Sequence, residues 1–484
     1  MHSENLNNVR ILGFKNLNNV RIKAFKNLKK RGNVDMKRKI YRELQEWKST
    51  SNGSSALLIE GARRIGKSYI VEEFAKNEYD SYIMINFRIA SRDVKSWFDI
   101  YLEDIDKLLA NIQLHYDKRL TPRRSIIVFD EIQDCPRARE AIKYLVADGR
   151  FDYIETGSLV SIKKNVKDIQ IPSEEYSIKM YPMDFEEFLW AMGNDMLMPY
   201  LKDCFDSLQP VGQTLHRKAM DLFRQYMVVG GMPQAILTYV KTKDFLAVER
   251  VKRQILQLYR NDIQKYASNM EVKVTTIFDE LPGQLQRHEK KFRLSSISPA
   301  ARMRDYEEAF FWLSDSGVVN CCYNTTEPSV GLSLNMERST VKCYMGDTGL
   351  LISHAFDDRG TVPVEIYQKL ILGKLETNEG MLTENIVAQM LRAAGHRLFF
   401  YSKSGNNAED RMEIDFLTCK SKVNNRHNIS PIEVKSGRNY TLSSLRKCMA
   451  KYAPYLSTSY VLHSGDIKQE EGIVFLPLYM TPLL

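Results

Sequence analysis

The feature that most limits what this chain can become is a short one: Gly61 to Ser68 read GARRIGKS, preceded by the apolar run ALLIE (Ala56 to Glu60) and followed by YIVEEFAKN. A buried strand, a loop with glycines at its bends and then a helix is the order that a phosphate-binding loop (P-loop) requires. Glycine lets the main chain curl until successive N–H groups point inward, and the helix adds the partial positive charge of its N-terminus. Gly61, Arg64, Ile65, Gly66, Lys67, Ser68 and Tyr69 are the residues expected to touch nucleotide. Lys67 is expected to reach the β and γ phosphates, and the Ser68 hydroxyl to hold magnesium. Arg63 and Arg64 could also meet phosphate, but loop arginines are more often solvated, so they rank below Lys67.

Such a loop needs an acidic partner, and Ser125 to Gln133 (SIIVFDEIQ) supplies one: a β-branched apolar run, typical of a central parallel strand, ending in adjacent carboxylates. Asp130 is expected to bind the magnesium water shell, and Glu131 to orient or deprotonate the attacking water. A strand at Ser81 to Phe87 and a helix around Asp93 to Ile112 lie between the two motifs. A helix near Arg137 to Ala147 and a strand at Phe151 to Glu155, ending in Thr156-Gly157-Ser158, follow. Alternating strands and helices predict an α/β fold with a parallel sheet covered on both faces. The expected ligands are ATP and Mg2+, and the expected activity is ATP hydrolysis.

Size and charge bound the rest. At 484 residues the chain is long enough for about two to four domains. No apolar run approaches the roughly 18 residues needed to span a bilayer, so no membrane partner is expected. The seven cysteines form no CxxC pair, which fits a reducing cytoplasm. Of the formal net charge of +9, residues 1–35 supply +6, from eight Lys/Arg against two acids. The remaining +3 is no argument for nucleic acid, whose signature is a clustered patch. Within that basic segment NLNNVRILGFK (Asn5 to Lys15) is followed by NLNNVRIKAFK (Asn16 to Lys26). Two readings stay open for this tandem repeat: a basic amphipathic arm, or a non-native extension without fixed structure ahead of a true start at Met36.

GARRIGKS, FDEIQ, TGS, MYPMDFEEF (Met180 to Phe188) and GGMPQAI (Gly230 to Ile236) together resemble a large prokaryotic family of AAA-type ATPases that carry a C-terminal domain of unknown function. The resemblance runs from about Met36 to the C-terminus. It implies that Thr156 or Ser158, at the tip of the strand beside the acidic one, senses the γ phosphate. Relatives usually carry a Gly-Arg pair before the YP phrase; this chain reads IPSEEYSIKMYPM, so the resemblance brings no trans-acting arginine there.

Helical periodicity between Gln209 and Ala267, broken at GGMP, looks like the lid of an AAA module. KVTTIFDELPGQL, SSISPAARM and DYEEAFFWLSDSGVV, followed by strand-like runs at Val318 to Tyr323 and Val341 to Met345, describe a winged helix, with RHEKKFR (Arg287 to Arg293) as a local basic cluster. The last segment resembles a restriction-endonuclease-like fold. Glu384 falls on a helix, Asp415 on a strand, and Glu433 and Lys435 two apart on the next strand, so the last two share a face. These four are the candidate nuclease site, with the carboxylates holding magnesium and Lys435 positioning water.

The expected layout is a basic extension at 1–35, an ATPase core at 36–205, a helical lid at 206–268, a winged helix at 269–355 and a restriction-endonuclease-like domain at 356–484. One functional reading is an ATPase coupled to a nuclease-like module that acts on DNA. The other is a slow nucleotide-gated switch that controls protein partners and whose nuclease-like domain is inactive. A homo-oligomer fits either.

Overall fold

The computed structural model describes residues 36–158, 171–267, 269–287, 289–329, 331–356, 362–374, 379–403, 411–419, 428–437 and 439–484. The basic segment 1–35 with its tandem repeat therefore lies outside the described residues, which begin at Met36.

The N-terminal part runs α1 (Ile40–Ser51), β1 (Ala56–Glu60), α2 (Lys67–Glu78), β2 (Ser81–Asn86), α3 (Arg92–Ile100), α4 (Ile105–His115), β3 (Ser125–Asp130), α5 (Pro136–Asp148), β4 (Asp152–Gly157) and β5 (Glu175–Lys179). The single helix expected around 93–112 is two, because Asp104 restarts it: its carboxylate accepts the Lys107 N–H at 3.1 Å, an N-cap in mid-segment. The strands form an all-parallel sheet in the order β2-β3-β4-β1-β5. Both faces are buried, as the near-continuous apolar strands require. Leu57, Ile59, Ile126 and Val128 enter one core, while Ala56, Leu58, Ile127 and Phe129 enter the other. Because all strands run the same way, the P-loop after β1, the acids ending β3 and the tip of β4 emerge along one edge. β4 lies between β1 and β3, which sets its last residues between loop and acids.

Five helices follow: α6 (Phe185–Ala191), α7 (Leu197–Ser207), α8 (Gln213–Val229), α9 (Pro233–Thr242) and α10 (Phe245–Tyr266). The GGMP turn divides α8 from α9, as its glycines and proline demand. A Cβ on Gly231 would stand 2.3 Å from the Met183 carbonyl oxygen, so this turn packs main chain to main chain against the MYPMD phrase.

The C-terminal half contains α11 (Glu271–Gln286), α12 (Glu307–Asp315), β6 (Val319–Thr325), β7 (Met336–Met345), α13 (Thr348–Ala355), α14 (Val364–Ile371), α15 (Glu379–Ala393), β8 (Phe399–Lys403), β9 (Met412–Cys419), β10 (Ile429–Val434), α16 (Ser443–Tyr452), β11 (Ser459–His463), β12 (Lys468–Glu470) and β13 (Ile473–Pro477). The β6–β7 hairpin expected as a separate wing is not free-standing. β6 pairs in parallel with β8, so the hairpin ends an eight-stranded mixed sheet, β12-β13-β11-β10-β9-β8-β6-β7, that crosses the boundary expected at 355/356. A two-stranded ribbon alone is marginally stable, and joining the larger sheet satisfies one of its edges.

Candidate active site

The loop after β1 is built around positions where the main chain takes a left-handed turn. Gly61 has φ of 152°, Arg64 of 70° and Gly66 of 94°. A Cβ on Gly61 would stand 2.3 Å from the Met180 carbonyl oxygen, which explains the glycine directly. Arg38 braces the loop from outside. Its guanidinium donates to the carbonyl oxygens of Ile65 (2.7 Å) and Tyr181 (2.6 Å) and pairs with Glu187 at 3.1 Å, all of it buried or nearly so. Nothing in the MKRK run marked Arg38 out from its basic neighbours.

Inside the loop the Lys67 ammonium donates to the carbonyl oxygens of Gly61 (2.8 Å) and Ala62 (2.9 Å). Burial pulls its pKa down to about 8; the Arg63 and Arg88 cations push the same way, and Glu131 and Asp130 oppose them. Three cations thus converge on a partly enclosed cleft, an arrangement suited to a polyanion.

Asp130, 2% exposed, is the hub of the strand tips. Its Oδ1 accepts hydrogen bonds from Ser68 Oγ (2.6 Å) and Thr156 Oγ1 (2.5 Å), and its Oδ2 accepts from Asn86 Nδ2 (2.7 Å). Of the two sensor candidates, Thr156 makes this contact, and Ser158 lines the cleft beside Lys67 and Glu131. A hydroxyl and a carboxylate side by side are hard oxygen donors, and such a pair fits magnesium that completes its shell with water and phosphate. Glu131 sits at the end of β3 with φ of 57°. Its carboxylate is engaged by Gln133 Nε2 (2.5 Å) and by Arg88 (3.1 Å). Asn86 and Arg88 were missed because strand order, not chain proximity, brings the end of β2 to Asp130 and Glu131.

The cleft has a roof from its own chain. Tyr259, Asp262 and Tyr266 of α10, with Trp312, Ser316 and Val318 around α12 and β6, line it opposite Lys67. Arg63 pairs with Asp262 at 2.6 Å, Tyr259 donates to the Arg63 carbonyl oxygen at 3.3 Å, and a Cβ on Gly317 would stand 3.0 Å from that of Ala62. Tyr69 lies away from this roof, half exposed, beside a groove that also involves Met36, Tyr41 and Trp190.

The four residues of the C-terminal candidate site also come together. Asp415 on β9 accepts the Val434 N–H at 2.9 Å, Glu433 on β10 pairs with Lys435 at 2.5 Å, and Glu384 of α15 faces the same region. The expected shared face of Glu433 and Lys435 is seen in that ion pair. What the sequence did not reveal stands among them: Lys342 of β7, 1% exposed, lies 3.0 Å from Glu413, 3.4 Å from Glu384 and 3.7 Å from Asp415. Lys290 and the Tyr344 hydroxyl also bond Glu384. Burial alone would raise the Glu384 pKa, but Lys342 and Lys290 outweigh it and hold the pKa down at about 2. Lys290 belongs to the basic RHEKKFR cluster, so part of that cluster turns inward and is not a solvated face. Among the described residues, no group of three or more His, Cys, Asp or Glu side chains has an arrangement that could hold a metal ion.

Three stretches of the chain match known families. Residues 53–189 match a family described as an AAA domain, residues 220–359 a domain of unknown function (DUF8612) and residues 379–481 another (DUF4143). No curated protein matches. A solved structure similar to this chain is the Walker-type ATPase PABY2304 of Pyrococcus abyssi, at 14% identity and a TM-score of 0.40, covering 66% of this chain and 96% of that one. The five-stranded parallel sheet and the match over residues 53–189 mark an AAA-like P-loop domain in the N-terminal part, and a separate sheet fills the C-terminal half. No helix among the described residues is long and apolar enough to cross a membrane.

Proposed function

We propose that the protein binds ATP with magnesium over Lys67, Ser68 and Asp130 and hydrolyses it by in-line attack of water. The observation that carries this is the meeting of Ser68, Thr156 and Asn86 on one buried carboxylate, Asp130, beside a lysine ammonium that donates to the main-chain carbonyl oxygens of Gly61 and Ala62. Lys67 and the curled N–H groups bind the β and γ phosphates. Ser68 and Asp130 would hold magnesium, whose charge would offset that of those phosphates. Glu131 orients the water and takes its proton, and Thr156 reports through Asp130 on whether the terminal phosphate is present. Calorimetry with Mg-ATP and a phosphate-release assay test this. Wild type should bind and turn over, Glu131→Gln should bind without turnover, and absence of binding by folded wild type sinks the reading.

For the C-terminal half we propose the switch reading. Residues 206–268 act as lid, 269–355 as a winged-helix-like unit and 356–484 as a restriction-endonuclease-like unit that does not cut. The Lys342 ammonium among Glu384, Glu413 and Asp415 supports an inactive site, because the charge a divalent ion would balance is already balanced. The roof contacts Arg63–Asp262 and Ala62–Gly317 give nucleotide a path to this half, whose partners are proteins. DNA incubated with manganese and protein should stay intact; cutting that Asp415→Ala abolishes would restore the nuclease reading.

A further inference from the structure

We propose that Arg88 acts in cis as the arginine that binds the terminal phosphate during hydrolysis, a role that rests on the ATPase reading above. Arg88 lies just past the end of β2, and its guanidinium pairs with Glu131 Oε2 at 3.1 Å and Asp134 Oδ2 at 3.3 Å. It therefore stands at the carboxylate that handles the water. It lines the same cleft as Lys67, and its charge contributes to depressing the Lys67 pKa.

Two further observations favour a resident arginine. Tyr259, Trp312 and Val318 of the same chain close the cleft opposite Lys67, so a residue from a second copy has no open approach from that side. The Arg88 side chain is also 34% exposed and its pairs lie at the cleft wall, so it is free to exchange a carboxylate for a phosphate. Arg63, the other cleft arginine, is tied at 2.6 Å to Asp262 on α10 and serves to join loop and lid.

The phosphoryl group in flight offers the guanidinium a doubly bonded partner that the resting ion pair with Glu131 does not. When Arg88 turns to it, Glu131 keeps its contact with Gln133 and its other side is left to face the water. The water oxygen then bonds to the terminal phosphorus as the bond to the β–γ bridging oxygen breaks. The water proton passes to Glu131, and ADP departs with the bridging electron pair. Arg88 gives and takes no proton; it stabilises charge on the phosphoryl group in flight.

The test uses the full chain with magnesium and compares wild type, Arg88→Ala and Arg88→Lys for ATP affinity, kcat and trapping of ADP with aluminium fluoride. Arg88→Ala should lower kcat by about 10³-fold, keep the ATP Kd within about threefold and fail to trap the analogue. Arg88→Lys should recover little, since lysine cannot make the two-pronged contact. In a Glu131→Gln background, where the ion pair is already gone, trapping should still depend on Arg88; a merely structural role would leave it unmoved. Near-wild-type kcat or normal trapping in Arg88→Ala overturns the proposal. If Arg88→Ala fails to fold, Arg88→Lys carries the same comparison. Wild type that does not bind ATP overturns the ATPase reading itself, whereas wild type that turns over beside an equally active Arg88→Ala overturns Arg88 alone.

Discussion

Lys67 and Lys342 are both buried lysines in clusters that also hold Asp and Glu, yet their electrical situations are opposite. The Lys67 ammonium touches two neutral carbonyl oxygens, and burial brings its pKa down to about 8. The Lys342 ammonium touches three carboxylates, which raise its pKa in spite of burial. One is a cation without its full counter-charge, and an arriving anion repays the cost of its desolvation. The other is a completed ion cluster that gains nothing from a further ligand. A buried lysine among acids is therefore uninformative until its direct contacts are known.

The comparison breaks most readily at Lys342. Lys342→Met removes the cation that Glu384, Glu413 and Asp415 share and leaves buried Glu384 with Lys290 alone, so the unfolding free energy in denaturant should fall by about 3 kcal/mol while ATP affinity is unchanged. Unchanged stability would mean that the cluster is not complete. Lys67→Ala should do the reverse: ATP binding weakens by at least about a hundredfold, and the melting temperature does not drop, because an uncompensated buried cation has been removed.

Acidity sharpens the contrast. ATP binding needs the charged form of Lys67, so affinity measured by calorimetry should be level below pH 8 and then decline towards about tenfold per unit above it. For Glu384 the folded pKa of about 2 lies below the ordinary 4.5, so its contribution to stability is complete above pH 4.5 and fades as the pH falls towards 2. Asp415 and Glu433, whose pKa values burial raises, work against it. The stability gap between wild type and Glu384→Gln should accordingly shrink across that acid window.

How far this was legible from the sequence follows chain distance. The P-loop, the Asp130–Glu131 pair and the βα alternation could be read because each is written in one continuous stretch with its own periodicity. Thr156 and Ser158 could not be told apart, since which side chain leaves the tip of β4 towards Asp130, as that of Thr156 does, depends on the fold. Arg38, Asn86, Arg88 and Lys342 could not be read at all. Each reaches its partner through strand order or packing, with residues of ordinary type in ordinary surroundings. The hairpin was visible as two strands, but its union with β8 depends on which sheet edges remain open, and no local pattern encodes that.

One core cluster runs without interruption from Leu57 and Val128 beneath the parallel sheet, through Tyr226 and Leu350, to Leu382 and Tyr479 near the C-terminus. Cutting the chain between its two halves would strip greasy surface from both, so neither should express well by itself, and a protease nick in a connecting loop should leave the pieces clinging together. Heating should melt the whole body in one step. Such a molecule carries messages by small shifts of a common interior, not by letting tethered parts swing.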